Sequence, residues 1–417
     1  MQTVIMAFFA CILAGSGLMM PEPAMSQSCP NFVIQGFGRS TTGGCGGKVI
    51  DVTTLANSGT GSLRACLEAS GTRICSVKVS GWVTLTDHIE IENGNLTLDG
   101  STAPNGGLGV KGEGVRIRAS NVIFRHVRFR PGACSPNDSC EYDALSIDGL
   151  NLIQNIVLDH ISTGWADDGA LDFVGRVRNV TVQWSIIHDS LGENGCSIVG
   201  QPSDTSQITI HHSLFYQCKV RNPEVQTGQL DFRNNVVYRN RSFGSNPASF
   251  RDVTQIASKY AGTPTQANLI GNYYRAGSSE NVDVRLAPIS LSDNESTSTS
   301  MSGAGVYMEA NQTDTSRGIT NTQFERDGGF PAPKTSPYGF PAVTTTTAAQ
   351  AYTEVLANAG ATLPCRDSVD RAVISNIQNR GGASLARGGS LTWPTLTGSC
   401  GSTQQLAAPS NLQVVPQ

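Results

Sequence analysis

Charge is scarce in this chain: only 15% of its 417 residues are Asp, Glu, Lys or Arg, where roughly 25% is usual. Lys and Arg together number 29 against 33 acids, a formal net charge of -4. No concentrated basic face exists for a phosphate backbone to meet, which excludes a nucleic-acid partner. Histidine is limited to six residues and no CxxC pair occurs, so a zinc cluster is excluded as well. Beyond the first 26 residues no run approaches the ~18 apolar residues of a membrane span. A serine-nucleophile motif is missing, and with it any triad chemistry. The glycine-rich stretch Gly36 to Gly47 follows no strand of the right kind, and Lys48 precedes Val49, so it is no phosphate loop. What the chain does have is 39% apolar residues and 45 glycines. That mixture is too apolar for disorder and suits a large folded body with many turns.

Residues 1–26 read as a signal peptide. An apolar run from Val4 to Met20 leads to Pro21, Pro23 and a small-residue cleavage site near Ser26. No Lys or Arg precedes the run, so the α-amino group alone supplies the positive end. Cleavage removes Cys11 and leaves ten cysteines, an even count that fits disulfides in an oxidising compartment. Cys66/Cys75, Cys134/Cys140 and Cys196/Cys218 are the plausible local pairs. The expectation is a secreted protein, extracellular or periplasmic, acting as a monomer without a membrane partner. Residues 401–417 read as a linker or the start of an accessory module, and Ala408 to Gln417 resemble the opening of a fibronectin type III module.

Between about 120 and 275 a short unit recurs: Asn or Gln, a few residues of strand character, then a polar turn. Copies begin at Asn121, Asn155, Asn179, Gln207, Gln229 and Gln266, spaced by 34, 24, 28, 22 and 37 residues. Partial period-two alternation marks strands with one buried face. A period in the twenties is too short for a βαβ unit with its loops and suits coils that bury their inner faces by stacking. The fold class predicted is therefore all-β: a single right-handed parallel β-helix over 27–400. Amides repeated at the strand starts predict side-chain bonds between coils or ordinary turn chemistry. An amphipathic helix over Gly61 to Ser70 would cap the N-terminal end. Helices are also predicted over Ala348 to Ala359 and Asp367 to Arg380, the second with Val369, Val373, Ile374 and Ile377 on its inner face. Residues Ser290 to Thr315 read as surface loop.

Three acids form the densest constellation. Asp143 opens the strand Asp143-Ala-Leu-Ser-Ile147, and the next coil offers Asp168-Gly-Ala-Leu-Asp172. Residues four apart on a strand share a side, and stacked coils about 4.8 Å apart bring Asp143 beside them. Three adjacent carboxylates repel one another unless a cation sits between them. Hard oxygen ligands with room for water select Ca²⁺ over softer metals. Asp148 and Asp167 are the competing acids, and solvated turn carboxylates are the plain alternative. Arg221-Asn-Pro223 falls one or two coils further on. Its plain reading is a surface ion-pair partner; for Asp159-His160 that reading is a hydrogen-bonded turn pair, and for His211-His212 it is packing.

Taken together, these segments resemble the pectate lyases of polysaccharide lyase family 1 from about Gln35 to Arg380. The likeness rests on Gly36-Phe-Gly-Arg-Ser-Thr-Thr-Gly-Gly44, Gly59-Thr-Gly-Ser-Leu-Arg64, Asn121 to Pro131, Leu158-Asp-His160, Trp165 to Asp172, Val180 to Trp184, Arg221-Asn-Pro223 and Asn234 to Tyr238. The resemblance implies calcium-dependent β-elimination on an acidic polysaccharide, pectate or a related uronan, giving 4,5-unsaturated ends. It matches Asp143, Asp168 and Asp172 to the calcium-binding acids and Arg221 to the general base. A guanidinium is a poor base at neutral pH, so an electrostatic clamp is the alternative role for that arginine. Two departures stand out. The segment Glu193 to Gly200 lacks the lysine the family carries there, and Glu224-Val-Gln226 replaces a second basic residue. Arg176, Arg178, Lys219, Arg233, Arg239 and Arg251 are the compensating cations expected. Rival readings are a lyase on another uronan, a glycoside hydrolase using Asp168 and Asp172, and a non-catalytic carbohydrate-binding β-helix.

Overall fold

The computed structural model describes residues 29–133, 143–192, 195–201, 204–240, 253–260, 263–279, 289–291, 303–313, 325–326, 330–383, 385 and 389–400. The predicted signal peptide, the pair Cys134/Cys140, Arg251 and the 401–417 tail lie outside them.

The strands stack in parallel on three faces of one coil, as predicted. One face holds Ile89–Ile91, Val115–Ile117, Ile198–Gln201, Glu224–Val225 and Thr254–Ile256. A second holds Lys48–Val52, Val122–Arg125, Ile208–His211, Gln229–Arg233 and Gln266–Ile270. Two long strands, Leu145–Asp159 and Leu171–Gln183, cross the corner and pair on both faces, with a register shift between Gly149 and Ile153. The third face is an eight-stranded sheet running from Gly81–Thr84 to Tyr273–Ala276. Inward residues of all three faces make one continuous apolar core.

The corners explain the repeat. Asn121, Asn155, Asn179 and Gln207 all have φ between 53 and 62°, the left-handed region that asparagine tolerates because its short amide bonds locally. Amide bonds then link neighbouring coils, Asn121 Nδ2 to Asn95 at 2.8 Å and Asn179 Nδ2 to Asn155 at 3.3 Å. The corner between the second and third faces is also left-handed at His126, His160, Trp184 and His212. There the rings stack, His126 on His160 at 4.8 Å and Trp184 on His212 at 4.4 Å between centroids. Packing accounts for these histidines, and His160 Nδ1 lies 2.9 Å from Asp159.

The capping helix α1 is shorter than predicted, Leu63–Leu67. Gly59 and Gly61 have positive φ, Ser62 accepts from Ala65 N, and the Cys66–Cys75 disulfide turns the chain back. Helices α2 (Ala348–Asn358) and α3 (Ser368–Gln378) pack on the third face against Ile186, Leu214, Val236 and Tyr238. One detail of α3 differs from the apolar reading: Asp370 is buried, while Val369 is only half-buried. Arg130 draws the acid inward, its guanidinium donating to Asp370 at 2.7 Å and Asp367 at 2.6 Å. A second difference concerns Ser290 to Thr315, where Gly305–Glu309 is a strand paired with Gln266–Ile270 and Ile289–Leu291 is another. Two strands of one coil were hidden there because their spacing is long and their composition polar. Among the described residues the disulfides are Cys29–Cys45, Cys66–Cys75, Cys196–Cys218 and Cys365–Cys400.

Candidate active site and metal centre

The acids meet at the edge of the first face. Asp143 stands just ahead of Leu145–Asp159, and Asp172 is the second residue of Leu171–Gln183. Parallel register sets Leu145 opposite Leu171, which places Asp143 beside Gly169, whose N–H donates to it at 3.0 Å. Asp172 accepts in turn from Ile198 N at 2.9 Å. Each carboxylate is thereby anchored on the coil that follows it. A Cβ on Gly169 would collide with the Asp172 carboxylate, so the turn needs glycine to admit the acid.

Asp168 joins them by a different route from the one expected. It lies in the turn before the strand rather than on it, so strand parity does not explain its direction; the turn does. One carboxylate oxygen from each of Asp143, Asp168 and Asp172 lies within 4.8 Å of the others. Asp148 stays outside the cluster, paired with Arg118 at 2.8 Å, and Asp167 is buried.

This arrangement is electrostatically expensive by itself. Burial, and then the nearby Asp168 charge, push the Asp143 carboxyl up to about 7. Burial, and then Asp143, hold Asp172 well above the ordinary aspartate range despite the Ile198 N–H. Converging carboxylates that resist ionisation are a donor set suited to a hard divalent cation, whose charge removes the repulsion. A second group, His126, Asp159 and His160, has ligand atoms equally close. There Arg125 already lies 3.4 Å from Asp159 Oδ2, and Gln183 donates to Oδ1 at 2.9 Å. That group belongs to the corner stack.

Arg221 comes from a turn two coils beyond Asp172. Ile198 pairs with Glu224, and Val199 with Phe173, so the order across the face is Asp172, Ile198, then the strand that Arg221 introduces. Its backbone is left-handed at φ 60°, followed by a cis Asn222–Pro223 bond, and its carbonyl accepts from Ser197 N at 3.0 Å. The side chain is close enough for its charge to act on Asp172. Its Nε donates to Glu224 at 2.9 Å.

Three of the compensating cations named from sequence, Arg176, Arg178 and Arg233, are engaged elsewhere. Arg176 and Arg178 pair with Asp204, Arg233 with Asp231, and Arg239 donates to the Lys219 carbonyl at 2.8 Å. A cation not named from sequence lies beside Arg221's partner: Lys259 Nζ is 2.8 Å from Glu224. Sequence reading missed it. Lys259 is 38 residues after Arg221 in the chain, and only the pairing of Glu224–Val225 with Thr254–Ile256 brings it close.

A parallel β-helix with a carboxylate cluster and an arginine is the class that the fold and the candidate site define. No family profile matches the chain. It is 32% identical over 381 residues to a probable pectate lyase C of Aspergillus fumigatus, covering 87% of this chain and 81% of that protein. The chain therefore belongs to the pectate lyase family. Among solved structures it is similar to the major cedar-pollen allergen, with a TM-score of 0.58 at 18% identity over 78% of this chain and 92% of that one. A Bacillus subtilis pectate lyase variant gives 0.56 at 16% identity, over 81% and 99%. Those two likenesses bear on the fold.

Proposed function

We propose that this chain is a calcium-dependent polysaccharide lyase, secreted, that cleaves α-1,4-linked polygalacturonate by β-elimination. Asp143, Asp168 and Asp172 hold the cation. Arg221, a cation at rest, receives the C5 proton once it has released its own proton to solvent. The convergence of the three acids within 4.8 Å, on the same face as Arg221, is the observation that carries this reading. Four disulfides among the described residues support export, and no helix there is long and apolar enough to cross a membrane.

When bound, calcium supplies a Lewis acid for a uronate carboxylate, which makes the neighbouring C5–H more acidic. The protein does the rest. Backbone N–H groups of Gly169 and Ile198 orient the acids, and Arg221 stands beside them to accept the proton and offset developing charge. As C5–H breaks, its electrons form the C4–C5 double bond and the C4–O bond breaks with the electron pair leaving on oxygen, which takes a proton from solvent while Arg221 gives up the C5 proton to solvent. The products are a new reducing-side chain and a 4,5-unsaturated uronide, with no water consumed.

The test is ultraviolet absorbance of the unsaturated product from polygalacturonate, with calcium or chelator, for wild type and Arg221→Ala. Calcium-dependent product that disappears in the variant is expected. A hydrolytic product without the double bond, or an undiminished variant, overturns the reading. A lyase acting on a less charged uronan is the second reading, favoured by Glu224 standing where a second cation was expected.

A further inference from the structure

Glu224 has no evident place in the chemistry, yet it is the most heavily engaged side chain near Arg221. It opens the two-residue strand Glu224–Val225, and 10% of its side chain is exposed. Three donors converge on it: Arg221 Nε at 2.9 Å on Oε2, with Lys259 Nζ at 2.8 Å and Gln226 Nε2 at 2.9 Å on Oε1. Burial pushes this carboxyl up, while Lys259, Gln226 and Arg221 together pull it below the ordinary glutamate range. It is a buried, ionised carboxylate with a cation on each oxygen.

Such a pairing is a weak source of stability, because desolvating the charges offsets most of their attraction. It is a strong source of geometry. A guanidinium is a rigid fork, and fastening Nε to Glu224 fixes the plane in which the two terminal nitrogens lie. Charge counting gives the second half of the argument. Arg221 with Glu224 alone sums to zero, which leaves little attraction for a polyanionic substrate. Lys259 returns the sum to one positive charge. The next coil delivers it, with its N–H bonded to Gln226 O at 2.9 Å.

We propose that Glu224 is the positioning residue for Arg221 and that Lys259 restores the positive field there, so that a three-residue ion chain replaces the cations this sequence lacks. The inference rests on the lyase reading and deepens it. It makes different demands of the two partners: Glu224 acts on turnover through the orientation of Arg221, whereas Lys259 acts on substrate affinity.

The experiment measures kcat and KM on polygalacturonate with calcium for wild type, Glu224→Gln, Glu224→Asp and Lys259→Met. Trigalacturonate binding by calorimetry provides a readout independent of turnover, and thermal melting shows that each variant is folded. Glu224→Gln should lower kcat about 100-fold, the scale of an ångström of misplacement, with KM within about threefold. Glu224→Asp, which keeps the charge, should recover part of that loss. Lys259→Met should raise KM and weaken trigalacturonate binding about tenfold, as loss of a complementary charge does, with little change in kcat. A folded Glu224→Gln with wild-type kcat, or a Lys259→Met with wild-type KM and binding, overturns the proposal. Should Glu224→Gln fail to fold, the decision passes to Glu224→Asp and Lys259→Met, where wild-type constants in both overturn it. A wild type that forms no unsaturated product overturns the lyase reading and the ion chain together, whereas unaffected variants of an active enzyme overturn the ion chain alone.

Discussion

Two clusters of aspartates in this molecule behave in opposite ways. On the third face, Asp367 and Asp370 meet two fully buried arginines, Arg128 and Arg130. Burial pushes Asp367 up, but Arg130 and then Arg128 outweigh it and hold the carboxyl below its ordinary range. On the first face, half-buried Asp143 and buried Asp172 lack such arginines and rise. The same side chain is a finished structural clasp where the fold provides the cation and an incomplete site where it does not. Burial sets the cost in both places; the neighbouring charge decides what the cluster is for.

The sharpest way to break this comparison is to remove one cation from the clasp. Arg130→Met leaves two buried carboxylates with Arg128 alone and should cost about 3–5 kcal/mol of stability, read from denaturant unfolding, while kcat per folded molecule stays at wild type. A loss below about 1 kcal/mol would mean that the clasp resembles a surface pair. On the other face the signs reverse. Asp172→Asn should reduce calcium-dependent turnover at least about 100-fold and leave the melting temperature in chelator unchanged or higher. Marked destabilisation in chelator would show that the acids are structural.

Calcium itself should stabilise the wild type by about 2.7 kcal/mol at a hundredfold excess over its dissociation constant, and Asp143→Asn should lose most of that gain. Chelated protein adds a pH signature. Asp143 folded sits near 7, above the unfolded value of about 4, so its contribution is complete below pH 4 and is lost as pH rises through 7. Asp367 is shifted the other way: its contribution is present above pH 4 and is lost as pH falls through the lowered value. Melting temperature against pH should therefore decline on both sides in chelator. Calcium, or Asp143→Asn, should flatten the upper limb alone, and an upper limb insensitive to both would sink the assignment. The smallest effect concerns a partly exposed ion group outside the acid cluster. Arg118 pairs with Glu90 at 2.7 Å and Asp148 at 2.8 Å, and Arg118→Met should change stability by under about 1 kcal/mol.

Much of this was legible in the chain. The coil was visible because one unit, Asn or Gln followed by an apolar strand, repeats from Asn121 to Gln266, and its first residue turns a left-handed corner at Asn121, Asn155, Asn179 and Gln207. The two local disulfides that can be compared, Cys66–Cys75 and Cys196–Cys218, followed from spacing. Less legible were the coil at Gly305–Glu309, polar enough to pass for loop, and Asp370, whose inward direction needed Arg130 from a distant strand. The pairs Cys29–Cys45 and Cys365–Cys400 also depend on where the chain ends fold back.

By itself the sequence determined the period of the coil, the residue types at its corners and the presence of three acids and an arginine in neighbouring units, because these are properties of short segments. Tertiary structure alone decided that Asp168 rather than Asp167 turns toward Asp143 and Asp172, and that Lys259 answers Glu224. Direction out of a turn and contact between successive coils depend on register and charge balance in space, and neither is written in the order of residues along one strand.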